Sequence, residues 1–434
     1  MISRLLNLAV ILFIAIVATP GLPSVAADAE MAKPPFKFQF SSGPVAPGCT
    51  VVAADMAYSK ERGYGFEPGG QITVKEFCTS DKPFFFSVAL PEGNYLVTVG
   101  LGDPAGESET TVKAELRRLM LENVNAAAGQ VATRSFVVNV RTPAIAGGGR
   151  VGLKAPRETV DEAWAWDGRL TLEFNGRHPC LRTLEIAPAQ VPTLFLLGDS
   201  TVCDQSKEPY ASWGQMLPRF FKPGIAVANH AESGETLRGS TNARRFAKVL
   251  GDLKPGDYLL IQFGHNDQKD KSPDASKRYA ETLTSWVRQV KQKGGIPVLI
   301  TSMYRHRFEG NRLIDSLADY PDKVRAVARA EKTALIDLHA MSKELYEALG
   351  PEQAAQLFKH ETPDAKDFDH THHNPYGAYE LARCIVEGLR LNCPELARQI
   401  TDELPAFSPA KPDPATGFKV PPSPGFTTQR PLGD

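Results

Sequence analysis

The sequence predicts an all-β sandwich followed by an α/β part with a parallel sheet, and three observations support this fold class. Between residues 36 and 188, short β-rich runs such as FFFSVAL and RLTLEFN alternate with clusters of Pro, Gly, Asn and Asp, as in antiparallel sandwiches. After Val191, apolar strands such as LFLLG and DYLLIQFG alternate with helical stretches, which is typical of a parallel sheet. The 434 residues are enough for two or three domains.

Changes in composition divide the chain into four segments. Residues 1–27 read as a secretory signal peptide, because an N-terminal cation, an apolar run and the small residues SVAA follow in order. An uncleaved anchor helix is the alternative, although the run is short for a membrane span. The other segments are the β-sandwich (28–190), the α/β domain (191–398) and a proline-rich tail, extended or disordered (399–434). The sequence therefore predicts an exported protein, periplasmic or extracellular.

The composition of the chain argues against nucleic acids and membranes as partners. The chain has 49 Lys and Arg against 50 Asp and Glu, without the basic excess that binding to a nucleic-acid backbone requires. Membrane binding is not expected after signal cleavage, because no second apolar stretch is long enough to span a bilayer. The oligomeric state is left open.

Six cysteines in an exported chain allow disulfides, and Cys384 with Cys393, the nearest pair in sequence, is the predicted bridge.

Four polar blocks follow strands or precede helices in the α/β part. Ser200 ends the run LFLLGDS, and the other blocks are NHAESGET (229–236), FGHND (263–267) and DHTHHNPYGA (369–378). Because ligands bind beyond the carboxyl ends of parallel strands, we expect these blocks to meet at one edge of the sheet. Together they hold a hydroxyl nucleophile, histidine bases, carboxylates and amide donors, which acyl transfer requires. A helix cap is the alternative role for Ser200.

These blocks resemble the SGNH/GDSL hydrolase superfamily, which has a serine in Gly-Asp-Ser, a glycine in the second block, an asparagine in the third and Asp-x-x-His in the last. Within it, the segments GDSTV, LKPGDYLLIQFGHNDQK and NPYGAYELARCIVEGL most resemble bacterial-type rhamnogalacturonan acetylesterases, over residues 191–391. The upstream segment GYGFEPGGQITVKEF is similar to the galactose-binding-like sandwich that precedes the catalytic domain in such relatives. The resemblance implies a three-layer, flavodoxin-like α/β domain.

The resemblance also implies a role for each site residue. Ser200 is the nucleophile, His372 the base, and Asp369 the residue that orients the imidazole. The backbone N–H groups of Ser200 and Gly234 and the side-chain amide of Asn266 form the oxyanion hole. This route needs neither a metal nor an organic cofactor, and the expected substrate is an acetylated polysaccharide or oligosaccharide.

The last block leaves a choice of residues. Asp367 and His370 have the same spacing as the pair that the resemblance implies. We prefer His372, because Asn374 and Pro375 then supply the cap and first turn of the next helix. The histidines of this block also allow a metal cluster, which would use His370, His372 and His373.

Three further side chains are candidates for binding the substrate. Arg238 matches a later arginine of the family pattern, and Arg305 follows the strand IPVLITS at the same edge of the sheet. His265 is the neighbour of Asn266 in the third block. Solvated arginines and a structural histidine are the alternatives. Glu235 stands where family members often have arginine, which argues against recognition of a uronate.

The sequence therefore predicts an exported serine esterase that removes O-acetyl groups from a cell-wall polysaccharide of the rhamnogalacturonan or pectin type. A lysophospholipase or thioesterase of the same fold is one alternative. The polar segments KEPYAS and RHRFEGN disfavour it, because a lipid enzyme exposes a large apolar patch at its cleft. A glycan-binding protein with an inactive α/β domain is the other alternative, which the complete set of site residues disfavours.

Overall fold

The computed structural model describes residues 34–41, 43–360 and 367–424. These residues belong to one compact unit. The predicted signal peptide lies outside them. Among the helices that are described, none combines the length and the apolar character that crossing a bilayer requires.

The β-rich half consists of short strands separated by turns, as the alternating runs predict. Its strands are β1 (Phe36–Gln39), β2 (Thr50–Val51), β3 (Tyr64–Phe66), β4 (Ile72–Val74), β5 (Cys78–Ser80), β6 (Phe84–Ala89), β7 (Gly93–Leu101), β8 (Ser108–Ala114), β9 (Arg118–Ala126), β10 (Ala132–Val140), β11 (Arg169–Asn175) and β12 (Cys180–Pro188). A single π turn, Arg157–Asp161, lies in the connection between β10 and β11.

The second half alternates strands and helices. Its strands are β13 (Thr193–Gly198), β14 (Ala226–Asn229), β15 (Tyr258–Gln262), β16 (Ile296–Ile300), β17 (Phe308–Glu309), β18 (Arg312–Leu313), β19 (Ala334–Ile336), β20 (Phe358–His360) and β21 (Phe368–His373). Its helices are α1 (Trp213–Met216), α2 (Leu237–Asn242), α3 (Arg245–Asp252), α4 (Ala275–Gln292), α5 (Tyr320–Glu331), α6 (Leu338–Ala355), α7 (Pro375–Asn392) and α8 (Pro394–Ala397).

The second half has the three-layer arrangement that the family resemblance implies. Five strands pair in parallel in the order β14-β13-β15-β16-β19, which is the flavodoxin-like order 2-1-3-4-5. Along β13, Leu194 and Leu196 face the layer of α1, α6 and α7, whereas Phe195 and Leu197 face α3, α4 and α5. A strand buried on both faces is apolar at every position, which explains the unbroken run LFLLG.

The β-rich half has a core between two sheets. One sheet has the strand order β3-β6-β11-β8-β9, and the other includes β10, β7, β12, β1 and β2. On β6, Phe84 and Phe86 alternate with Phe85 and Ser87, and they pack in one cluster with Val97 and Val99 of β7. This period of two is the expected one for a β-strand, whose successive side chains point to opposite faces of the sheet. That residues 28–190 are a separate domain stays a prediction.

The two halves share a sheet and several buried ion pairs. Strand β10 pairs in parallel with β14. The five parallel strands and the sheet that includes β10, β7, β12, β1 and β2 therefore form one sheet of twelve strands. Arg118 on β9 pairs with Asp204 at 2.9 Å, and Glu158 pairs with Arg245 on α3, all of them buried. Removing one partner of a buried ion pair costs about 3–5 kcal/mol. The halves are therefore bound by more than their connecting chain.

The described part of the proline-rich tail follows the surface and is hydrogen-bonded along its course. The Tyr376 hydroxyl donates to the carbonyl of Asp413 at 2.5 Å. Near the end of the described residues, the Ser423 hydroxyl donates to Glu173 on β11 at 2.7 Å. The described part of the tail is thus fixed to both halves.

The predicted Cys384–Cys393 bridge is wrong. All six cysteines are free thiols. Cys384 lies within α7 and Cys393 caps the end of that helix. Nine residues of helix rise by about 13 Å, which is well beyond the Cα separation of about 7 Å that a disulfide tolerates.

Candidate active site

Ser200 lies in a turn directly after β13, at the carboxyl edge of the parallel sheet. The Asp199 carboxylate holds this turn by accepting the backbone N–H of Thr201 at 3.0 Å. The next helix begins only at Trp213, with Ser212 as its cap. The alternative role of Ser200 as a helix cap is therefore wrong.

A chain of two hydrogen bonds links Ser200 to a histidine and a carboxylate. Ser200 Oγ lies 2.8 Å from His372 Nε2, and His372 Nδ1 lies 2.7 Å from Asp369 Oδ2. Because Nδ1–H donates to the carboxylate, Nε2 is the free acceptor for the serine hydroxyl. This is the arrangement of nucleophile, base and orienting group that acyl transfer requires.

Asp369 is held as an anion. Partial burial opposes its charge, but the hydrogen bond from His372 and the backbone N–H groups of His372 and Thr371 together hold the pKa of this carboxyl well below its usual range. Those two N–H groups donate to Oδ1 at 3.0 Å and 2.8 Å. The carboxylate therefore keeps its orientation and its charge through the neutral pH range.

The other histidines of the last block have different partners. His370 Nδ1 donates to the carbonyl of His306 at 2.9 Å. His373 is buried and its Nε2 accepts the hydroxyl of Tyr346 at 2.7 Å. With His372 directed at Ser200, the three rings do not converge on one point, which contradicts the alternative of a metal cluster.

The predicted oxyanion donors line the same pocket as the serine. Gly234 and Asn266 share this pocket with Ser200, His372 and Asp369. Gly234 has φ of +73°, which a side chain would strain, so glycine allows its N–H to face the pocket. The Asn266 amide donates to the carbonyl at position 235 at 3.0 Å, which fixes its plane while leaving a second N–H.

Comparisons with known proteins show the family of this chain. Residues 196–378 match the model of the GDSL-like Lipase/Acylhydrolase family. The chain is 38% identical over 226 residues to the rhamnogalacturonan acetylesterase RhgT of Bacillus subtilis (strain 168), across 50% of this chain and 94% of that protein. The chain belongs to the GDSL-like lipase/acylhydrolase family. It is therefore a carboxylic ester hydrolase.

Two further similarities extend over more of this GDSL-like hydrolase. The chain is 30% identical over 375 residues to the uncharacterized esterase YxiM of Bacillus subtilis (strain 168), across 82% of this chain and 90% of that protein. A crystal structure of the Bacillus subtilis protein YxiM covers 82% of this chain and 98% of its own, with 29% identity and a TM-score of 0.45.

The β-rich half of this hydrolase reaches the active site, which the sequence did not indicate. Lys154 Nζ donates to the carbonyl of Ser233 at 2.5 Å and pairs with Glu235 at 2.7 Å. Arg157, at the start of the π turn, lines the pocket and pairs with Glu232 at 3.1 Å. Two cations from outside the α/β half therefore hold the loop that carries the predicted oxyanion glycine.

These contacts explain the acid at position 235. Glu235 is only 4% exposed, and it pairs with Lys154 rather than facing the pocket. An arginine at this position would meet Lys154 and lie near Arg245, which is 4.0 Å from the Glu235 carboxylate. The acid therefore serves the internal charge balance, and it does not count against an anionic substrate.

None of the three predicted substrate-binding side chains lines the pocket of Ser200 among the residues the structure describes. His265 is buried, and its Nε2 donates to the carbonyl of Met303 at 3.0 Å. Arg305 donates to that histidine's carbonyl at 3.1 Å and to Thr371 at 3.1 Å. Arg238 lines a neighbouring depression with Asn266. The first two are thus placed to support the site from behind.

Cys203, three residues after Ser200, is not a thiolate. Cys203 is buried, and burial with the nearby carboxylates of Glu232 and Glu162 raises the pKa of its thiol well above the usual value. A thiol in this state is a poor nucleophile. The hydroxyl of Ser200 is therefore the nucleophile that this turn offers.

Neutral burial of His373 predicts a loss of stability in acid. Burial and the nearby His372 lower the pKa of His373 to about 3, whereas the unfolded chain binds this proton near pH 6.5. Between these values the unfolded state binds more protons, so the free energy of unfolding falls as pH drops below about 6.5, by up to about 5 kcal/mol. We expect the Tm to fall from pH 7.5 to pH 4.5, and to fall less in His373→Gln, by differential scanning calorimetry. Equal slopes in both proteins would contradict this.

Proposed function

We propose that this hydrolase is an exported carbohydrate O-deacetylase that removes acetyl groups from a cell-wall polysaccharide of the rhamnogalacturonan or pectin type. The observation that carries the proposal is the hydrogen-bonded chain from Ser200 through His372 to Asp369. The name of the relative with 38% identity, a rhamnogalacturonan acetylesterase, supports the choice of substrate. The apolar N-terminal run followed by small residues supports export.

The mechanism has two acyl-transfer steps. Ser200 Oγ bonds to the acetyl carbonyl carbon while its proton passes to His372 Nε2, and Asp369 stabilises the resulting imidazolium. The tetrahedral intermediate breaks its bond to the sugar oxygen, which takes the proton from His372 and leaves as the alcohol. A water molecule then attacks the acetyl-serine, giving its proton to His372. Acetate leaves, and the serine oxygen recovers the proton.

The oxyanion of each intermediate needs donors that are already in place. The backbone N–H groups of Ser200 and Gly234 and the amide of Asn266 border the pocket in which the carbonyl oxygen becomes charged. Lys269 Nζ donates to Asn266 Oδ1 at 2.8 Å, which orients the amide with its nitrogen available. Fixed donors stabilise the developing charge without reorganising.

An Asn266→Ala variant tests this role. We expect kcat for 4-nitrophenyl acetate to fall about 10²- to 10³-fold, because one of the oxyanion donors is lost, while KM changes little. Gln268→Ala, which removes another amide from the same short turn, is the matched control and should keep kcat. An Asn266→Ala enzyme within threefold of the wild type would remove the residue from the oxyanion hole.

The walls of the pocket favour a polar substrate. They carry charged side chains from both halves, among them Arg157, Asp161, Lys207 and Lys269. Long acyl chains bind where apolar surface lines the cleft, so a lysophospholipase or thioesterase fits this pocket less well. With Lys359 the described residues of the pocket carry four cations, which attract a polymer that carries uronates, and four carboxylates line the same pocket.

The substrate proposal is tested by acetate release. Wild-type enzyme is incubated with acetylated rhamnogalacturonan, acetylated pectin, acetylxylan, a lysophospholipid and an acyl thioester, and released acid is measured. We expect acetate from the acetylated pectic polymers, and none after these polymers are deacetylated with alkali. Turnover of only the lipid or the thioester would contradict a carbohydrate substrate.

We infer in addition that residues 28–190 are a galactose-binding-like sandwich with a supporting role. The contacts of Lys154 with Ser233 and of Arg157 with Glu232 support this inference, since both end at the active-site loop. On this view the β-rich half positions the oxyanion loop, whether or not it also binds glycan.

A further inference from the structure

A second cluster of reactive side chains lies in the β-rich half, outside the site just described. It combines Asp103, in the loop after β7, with His178 and Cys180, where the chain enters β12. One ligand atom of each residue lies within 4.8 Å of the other two. None of the three lines the pocket that holds Ser200, so the esterase mechanism leaves this cluster unexplained.

The carboxylate of the cluster is fixed by its own loop. Asp103 is 7% exposed, and its Oδ1 accepts the backbone N–H of Ala105 at 2.7 Å. Its Oδ2 lies 2.8 Å from His178 Nε2. Gly106 allows the backbone to approach, because a Cβ at this position would lie 3.3 Å from Oδ2. One oxygen is thus tied to the backbone, and the other is directed at the histidine.

The backbone at His178 is held in an uncommon conformation. Its φ is +75°, a left-handed value that residues other than glycine adopt at a cost of about 1–3 kcal/mol. This conformation sets the ring beside Asp103, and it sets the carbonyl of His178 3.3 Å from Cys180 Sγ. Strain of this kind is found where a site requires a fixed geometry.

The thiol is buried, whereas the imidazole reaches solvent. Cys180 is fully buried, and its backbone N–H donates to Thr110 Oγ1 at 3.1 Å. The His178 side chain is 39% exposed. An ion can therefore reach the cluster past the imidazole, and a water can complete its coordination from that side.

A disulfide does not account for this cysteine. In the antiparallel pairing of β5 with β12, Cys180 lies opposite Thr79, and Cys78 lies opposite Leu181. Neighbouring residues of a strand point to opposite faces, so the two cysteines are on different faces of the sheet. Cys78 belongs to the apolar core, and the Cys180 thiol does not form a disulfide with it.

We propose that Asp103, His178 and Cys180 form a binding site for Zn²⁺. Imidazole nitrogen, thiolate sulfur and carboxylate oxygen are the three donor types that zinc takes in proteins. Tetrahedral coordination would separate the nitrogen and oxygen ligands by about 3.3 Å, so the His178–Asp103 pair, at 2.8 Å, has to open by about half an ångström. The Cys180 sulfur, within 4.8 Å of both, would lie about 3.6 Å from each. Zinc is favoured over magnesium and calcium because those ions prefer oxygen ligands alone.

Binding balances as a proton exchange. The Cys180 thiol gives its proton to solvent as the Zn–S bond forms. The ion takes the place of the proton between His178 Nε2 and Asp103 Oδ2. The imidazole stays neutral because it carries its proton on Nδ1 instead. Water occupies the fourth position. The bound ion would fasten the loop after β7 to the start of β12.

The test is calorimetric titration of Zn²⁺ into the full chain after treatment with EDTA. We expect one site with a Kd in the micromolar range or below, and release of the thiol proton, seen as a buffer-dependent heat. Cys180→Ser should weaken binding by at least about 100-fold. Cys49→Ser, at a half-buried cysteine elsewhere in the β-rich half, is the matched control and should bind as the wild type does.

Two further measurements keep the test decisive. His178→Asn retains a residue that tolerates positive φ, so the chain should fold while losing the imidazole, and zinc binding should weaken as in Cys180→Ser. Titration with Co²⁺ should give a thiolate-to-cobalt charge-transfer band in the wild type and none in Cys180→Ser. Absence of zinc binding to the wild type, or wild-type affinity in His178→Asn, would reduce the cluster to an ion pair with a neighbouring thiol.

Discussion

A Ser200→Ala variant is expected to lose about 10⁵- to 10⁶-fold of kcat for 4-nitrophenyl acetate, because no other group in the turn can form the acyl-enzyme. Residual turnover would come from binding and from the oxyanion donors. The fold should be unaffected, since the Ser200 hydroxyl is directed at His372 and supports no other element. Circular dichroism and the Tm should therefore match those of the wild type.

The matched control is Ser285→Ala, at an exposed serine on α4. It should keep the wild-type kcat. Mass spectrometry after mixing with the ester should show an acetyl group on wild-type Ser200 and none on the variant. If Ser200→Ala keeps more than a tenth of the activity, the nucleophile is another residue and the proposed mechanism is wrong.

An Asp369→Asn variant is expected to lower kcat by about 10⁴-fold. The asparagine can turn its amide toward His372 Nδ1 and donate to it, which leaves Nε2 as the protonated nitrogen. The Ser200 hydroxyl, 2.8 Å from Nε2, then has no acceptor for its proton. KM should change little, because the loss concerns the transition state rather than the bound substrate.

Asp367→Asn is the control that the sequence itself supplies, since Asp367 and His370 have the same spacing as Asp369 and His372. His370 donates to the carbonyl of His306 and is not placed to take a proton from serine. Asp367→Asn should therefore stay within twofold of the wild type. A larger loss in Asp367→Asn than in Asp369→Asn would reverse the assignment of the pair.

The fold of the second half could be predicted because the sequence patterns of its strands and of its helices are both local. Buried parallel strands have continuous apolar runs, as in β13, and helices repeat their apolar side chains every three or four residues. The site blocks could be placed together for the same reason, since the carboxyl ends of parallel strands share one edge. The cap of α7 was also predicted, and Asn374 accepts the N–H of Gly377 there.

The features that were missed depend on contacts between distant parts of the chain. The chain between Lys154 and Glu235 passes through β11, β12, β13 and β14, and neither residue carries a motif that indicates the other. Arg305 was predicted to face the substrate because it ends a strand, yet its guanidinium packs against the carbonyl of His265. A helix cap was the alternative role for Ser200, but the chain continues irregularly from this residue to Trp213. Sequence periodicity contains none of this information.

The continuity of the twelve-stranded sheet has a consequence for how this protein can be divided. A protease that cut between Pro188 and Thr193 would break the covalent link but leave β10 hydrogen-bonded to β14. Separating the fragments would expose Glu158 and Arg245, a buried pair, to solvent or leave each without its partner. The β-rich half is therefore an integral part of the fold. The smallest fragment that we expect to be active as this esterase contains both halves.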